Sequence, residues 1–170
     1  MQLRPRNTAL AIISLALYAV SSTWAASATP TLKQENVSLA LANELISATL
    51  AACHADGRSA VVAVVDRGGN LVAVQRDDSV GPHNTEAAQR KAFTALSTKT
   101  PTRLLAANVR ANPESHNLNT ISSLLLIGGG VPLTVGKDVI GAIGVGGSGG
   151  AEQDEGCALK AIAQVLPSSN

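Results

Sequence analysis

The chain has 170 residues, 13 Lys+Arg against 12 Asp+Glu, with 45% hydrophobic, 15% charged and 2% aromatic residues. That length supports one domain with a core of its own, and high apolar content with almost no net charge excludes a disordered chain. A balanced charge and few aromatics also lack the basic surface and stacking platforms that hold nucleic acid, so no nucleic-acid partner is expected.

In chain order, residues 1–28 read as an export signal. Arg4 and Arg6 form a basic start, Thr8–Val20 is almost wholly apolar, and Ser21–Ala28 is small and polar apart from Trp24. Ala26-Ser27-Ala28 offers a cleavage point before Thr29, and Thr23-Trp24-Ala25 an earlier one. The 13 residues of Thr8–Val20 fall short of a membrane span, which needs ~20. The expected mature protein is therefore residues 29–170, one domain, periplasmic or extracellular, with no membrane attachment. Cleavage removes two of the 13 basic residues, leaving 11 against 12 acids, and Phe93 as the sole aromatic.

Thr31-Leu32-Lys33-Gln34 has the spacing of a helix capping box. Val37, Leu41, Leu45, Ala48 and Ala52 then recur every three or four residues, predicting a helix to about His54 that Asp56-Gly57 ends. Val61–Asp66 and Leu71–Gln75 read as strands joined by the Arg67-Gly68-Gly69-Asn70 turn. Pro82-His83-Asn84 precedes a second helix, with Asn84 as its expected cap, Glu86 in its first turn, and a run through Lys91 and Phe93 to Thr98. Thr102–Arg110 reads as a further helical piece after Pro101, and Ala111–Thr120 as an irregular surface loop. Ten of the 15 glycines fall between Gly128 and Gly150. Leu124–Ile127, Val131–Val135 and Val139–Val145 read as strands, and Ala151–Leu166 as a final helix stopped by Pro167. The order α-β-β-α-β-β-β-α with tight hairpins predicts a largely antiparallel sheet covered by helices.

Cys53 and Cys157 are the only cysteines. They read either as two unrelated buried residues or as a disulfide closing a loop of 104 sequence steps, worth about 4–5 kcal/mol by chain entropy. Gly144–Gly150 follows a strand and precedes a helix but lacks the Gly-Lys-Ser/Thr of a phosphate loop, so it reads as a close-packed turn. His54, His83 and His116 stand in neither HExxH nor CxxCH. His54 suits a helix C-terminus, His116 lies in a polar loop, and His83 precedes a helix whose first turns carry Glu86, Arg90 and Lys91. Cys53 and His54, being adjacent on a helix, diverge by about 100° and cannot act as a pair. No serine lies in GxSxG. Asp77-Asp78 and Glu152, Asp154 and Glu155 could hold a cation, yet acids in turns and first helical turns are also what local stability selects.

Five stretches in order carry a family resemblance: Val64–Arg76, Arg90–Ala95, Gly128–Leu133, Val139–Gly147 and Gln153–Ala158. Together they resemble the GlcG/HbpS family of haem-binding proteins, whose domain also forms the C-terminal part of PduO-type corrinoid proteins. The resemblance implies an α+β fold, a profilin-like five-stranded antiparallel sheet flanked by helices, assembled into a homo-oligomer. It implies non-covalent binding of haem b, as carrier, scavenger or accessory to a sensor protein. The alternatives are an enzyme acting on haem or a small organic acid, or a corrinoid-binding or structural oligomer with no catalysis. With Met and Tyr absent after cleavage, the axial iron ligand is expected from histidine, His83 ahead of His116, with Arg90, Lys91 or Arg103 pairing the propionates.

Overall fold

The architecture follows from two hairpins and the helices that must cover them. A computed structural model describes Gln2 and residues 30–166, so the expected export signal over residues 1–28 lies outside the described residues but for Gln2. The elements are α1 (Leu39–Ala55), β1 (Val61–Asp66), β2 (Leu71–Arg76), α2 (His83–Thr98), α3 (Thr102–Ala111), a 3-10 turn (Pro113–Thr120), β3 (Gly130–Val135), β4 (Asp138–Gly146) and α4 (Ala151–Val165). The sheet order is β2-β1-β4-β3, with every neighbouring pair antiparallel. Among the described residues no helix is long and apolar enough to cross a membrane.

β1 is central, and its run Val-Val-Ala-Val-Val is buried throughout, as a strand covered on both faces must be. The two-residue period splits it between two layers. Val62 and Val64 join Leu45, Ile46, Ile143, Val145 and Ala158 under α1 and α4. Val61, Ala63 and Val65 point the other way, to the alanines of α2: Ala88, Ala92 and Ala95. Such small residues let α2 lie unusually close to the sheet. At Gly144 an added Cβ would collide with the Ala88 carbonyl oxygen, and at Gly130 with that of Lys91. These two strand glycines are therefore the clearance for a helix backbone.

Three expectations change. The sheet has four strands rather than five, because Leu124–Ile127 is no strand. Its backbone bonds to α2 side chains instead: the Leu124 carbonyl accepts from Arg90 at 2.9 Å and the Leu125 N–H donates to Thr94 Oγ1 at 2.8 Å. α1 starts at Leu39, where the Ser38 hydroxyl accepts the Leu41 N–H at 3.1 Å, so the capping-box residues Thr31–Gln34 precede the helix. Residues 113–120 are a 3-10 turn rather than irregular, with the Asn112 side chain accepting the Glu114 N–H. Pro132 sits on β3, an edge strand, where a missing N–H is tolerated.

Cys53 on α1 and Cys157 on α4 are joined as a disulfide, with a Cα separation of 5.3 Å. Both are buried in the larger core layer, so the bond clamps the two helices over one face of the sheet. Opening it frees a 104-residue loop; reduction should lower unfolding stability by about 2–5 kcal/mol. Denaturant midpoints with and without reductant test this, and equal midpoints would show that packing alone holds α1 to α4.

The β1–β2 turn adds a pH term. Asp66 accepts from the Gly68 and Asn70 N–H groups at 2.8 Å each and from Asn70 Nδ2 at 3.1 Å. Burial pushes the Asp66 carboxyl up, but these hydrogen bonds outweigh it and hold the group below its usual range. A depressed carboxylate contributes stability above its unfolded value, about pH 4, and loses it as pH falls through the folded value. Stability measured against pH should therefore fall less steeply below about pH 4 in Asp66→Asn than in the wild type.

Candidate functional site

Helix α2 sets the geometry of three expected site residues, His83, Arg90 and Lys91. It starts at His83, with Pro82 at the capping position and no side chain capping its free N–H groups. Asn84, the expected cap, lies inside the helix and turns its Nδ2 back to the Gly81 carbonyl at 3.2 Å. Gly146 and Gly147 pack against Asn84, placing the glycine-rich loop beside this helix end.

The helical period then sorts the residues by face. His83 and Arg90 are seven apart, so they share one face and stand about 10 Å apart along the axis. The His83 imidazole is exposed, and neither ring nitrogen has a hydrogen-bond partner among the described residues. Arg90 donates from Nη2 to the carbonyls of Ser122 and Leu124 at 2.7 and 2.9 Å, and its Nη1 lies 3.7 Å from Glu86. Its Nε is buried with no partner. Arg90 thus pins the 122–124 connection onto α2 and retains one unsatisfied donor.

Lys91, one position on, turns about 100° from Arg90 and into the fold. The residue is 4% exposed, and its ammonium donates to Asp154 Oδ2 at 2.7 Å and to the Val145 carbonyl at 2.9 Å. Asp154 Oδ1 accepts from the Ser148 hydroxyl at 2.6 Å and the Ser148 N–H at 2.9 Å. Lys91 is therefore a core residue, neutralised within the fold, and the expectation that it meets a propionate is corrected. Arg103 is paired to Glu155 at 2.9 Å, a hydrogen bond and charge that hold its guanidinium above the usual value. His116 is exposed on the 3-10 turn, away from any hydrogen bond to His83. The four expected residues do not converge: His83 and Arg90 share a face, His116 stands on a separate turn, and Lys91 is inside.

The donor set for iron narrows accordingly. The disulfide removes both thiols, and His54 Nε2 already engages Asp77 at 2.8 Å. His83 and His116 remain as histidines with both nitrogens free among the described residues. Leu104, Ile121 and Ile127 are exposed apolar side chains, and Ile121 directly precedes Ser122, whose carbonyl Arg90 holds. Of the acids considered for a cation, Asp77, Asp154 and Glu155 are engaged elsewhere, and no group of three ligands converges among the described residues. Asp154 with Lys91 was the feature the sequence left unassigned. Its signal was a lysine at the inward period of Ala88, Ala92 and Ala95.

A family model described as "Haem degrading protein HbpS-like" matches residues 37–163. The chain belongs to the HbpS-like family. A solved double mutant of HbpS from Streptomyces reticuli superposes with TM-score 0.76 at 34% identity, covering 82% of this chain and 94% of that one. A PduOC–haem complex gives TM-score 0.68 at 28% identity, over 75% of this chain and 94% of that one. Protein GlcG of Escherichia coli K12 is 33% identical over 109 residues, 62% of this chain and 80% of its own length. These relatives accord with the HbpS-like α+β fold built here.

The buried pair yields a test of what holds this helix. Lys91→Met strands the Asp154 carboxylate and should destabilise by about 3–5 kcal/mol, whereas Lys91→Met with Asp154→Leu should recover most of that. Denaturant unfolding of the two variants decides, and a double variant no more stable than the single would dissolve the pairing argument.

Proposed function

We propose that this chain is an exported protein that binds haem b reversibly and non-covalently, with His83 as the axial ligand. The observation that carries it is the exposed, unengaged imidazole of His83 on a fold shared with a protein crystallised with haem. Haem, when bound, would supply an iron centre whose axial position an imidazole nitrogen fills. The chain's own contributions are distinct: α2 presents His83 at a fixed end, the exposed part of the Arg90 guanidinium offers charge toward a carboxylate, and Leu104, Ile121 and Ile127 offer apolar surface. The basic, apolar and small-residue order of residues 1–28 supports export, and a disulfide suits the oxidising periplasm or exterior. Assembly of several copies around this face belongs to the same reading, which makes the protein a carrier, scavenger or accessory to a sensor.

A second reading is favoured by the family description itself, which names haem degradation: the bound haem would be turned over rather than carried. Haemin titration separates the outcomes. A saturable, sharpened Soret band is expected, weakened or shifted in His83→Ala and unchanged in His116→Ala. A spectrum like free haemin throughout would end the haem reading, and an unaltered His83→Ala spectrum would remove His83 as ligand. Loss of the band on adding reductant in air would favour turnover.

A further inference from the structure

At the end of α2 opposite His83 lies a cavity of about 450 Å³ that the haem reading does not use. Three segments wall it: the β1–β2 turn, the C-terminal half of α2 and the β3–β4 turn. Phe93 and Leu96 give it an apolar side, and Gly69, at φ +82, lets the turn close onto Phe93; an added Cβ there would sit 2.8 Å from the ring. Arg67, Lys99 and Lys137 stand around it, opposed by Asp138 alone.

None of those three cations forms an ion pair among the described residues. Arg67 donates Nη1 to the Val139 carbonyl at 3.1 Å, which fixes its guanidinium across the cavity with its other donors unengaged among the described residues. The nearest acid in sequence, Asp66, is committed to its own turn and leaves Arg67 uncompensated. Lys99 takes a left-handed conformation, φ 51, where a helix end ordinarily carries glycine, so a cation stands at the rim in place of the usual residue. In a chain of nearly balanced charge, three cations without an ion pair among the described residues thus stand around one cavity with an aromatic wall.

We propose that this cavity binds a small organic carboxylate with a planar apolar body. The carboxylate sits on Arg67, Lys99 and Lys137, where charge-assisted hydrogen bonds are strongest with a planar guanidinium. The body lies against Phe93 and Leu96. The site shares no residue with the His83 face, so it stands or falls apart from haem binding.

Phe93 is the only phenylalanine of the chain. Labelling the full-length protein with ring-¹³C phenylalanine therefore yields the signal of one residue, at the cavity wall. Titrated with benzoate to about millimolar levels, a range set by the small contact area, the Phe93 ring signals should shift saturably. Benzamide, which lacks the charge, should leave them in place. Lys99→Gln with Lys137→Gln, both at exposed positions, should weaken benzoate by about tenfold while the amide spectrum stays native. No shift with benzoate, an equal shift with benzamide, or undiminished binding by the double variant would each overturn the proposal. Displacement of benzoate by haemin would overturn it too, since the cavity would then be the haem site. A failed haemin titration with intact benzoate binding would sink the haem reading alone.

Discussion

The buried ion pair of Lys91 and Asp154 is the constraint on which the rest is arranged. Two charges removed from water are stabilising only when their remaining donors and acceptors are satisfied. Here the ammonium also meets the Val145 carbonyl and the carboxylate takes both donors of Ser148. The network thereby ties α2 to the end of β4, to the glycine-rich loop and to the first turn of α4. Gly129 makes room for it, since a Cβ there would lie 3.1 Å from the Lys91 nitrogen and 2.8 Å from Asp154 Cβ. Fixing Lys91 inward also fixes the rotation of α2. Given 3.6 residues per turn, His83 and Arg90 must then face outward, and Phe93 must wall the opposite end.

Much of the fold was legible because its signals were local. β1, its hairpin, α3 and α4 sit within a residue or so of their expected limits, since a buried β-branched run, a Gly-Gly-Asn turn and a terminating proline each act over a few residues. The misreadings have one cause, competition from partners distant in sequence. Leu124–Ile127 has strand-like side chains, but Arg90 and Thr94 claim its backbone groups before any ladder can. Thr31–Gln34 has the spacing of a cap, yet Ser38 provides one closer to the residues that pack. Asn84 could cap a helix, but the chain enters α2 two residues earlier, with Pro82 at the capping position.

The site was less legible than the fold, and Lys91 shows why. Beside Arg90 at the start of a helix it reads as one of two surface cations. Only its alignment with Ala88, Ala92 and Ala95 betrays burial, and a single apolar stripe does not say that a carboxylate 63 residues later will receive it. His83 offered the reverse difficulty: a lone loop histidine carries no spacing signal, and only the structure shows both its nitrogens unengaged.

The five stretches that carry the family resemblance explain this asymmetry. They contain Asp66 and Asn70, Lys91, Gly129 and Gly130, Gly144 and Asp154, which are the turn, the clearance glycines and the buried pair. They contain neither His83 nor His116, and neither Lys99 nor Lys137. What the resemblance encodes is therefore in large part the means of bringing α2 against the sheet. Of the groups that would choose a ligand, His83, His116, Lys99 and Lys137 lie outside those stretches, while Arg67, Arg90 and Phe93 lie within them. Ligand preference can then change at either end of one helix without disturbing the packing that defines the fold.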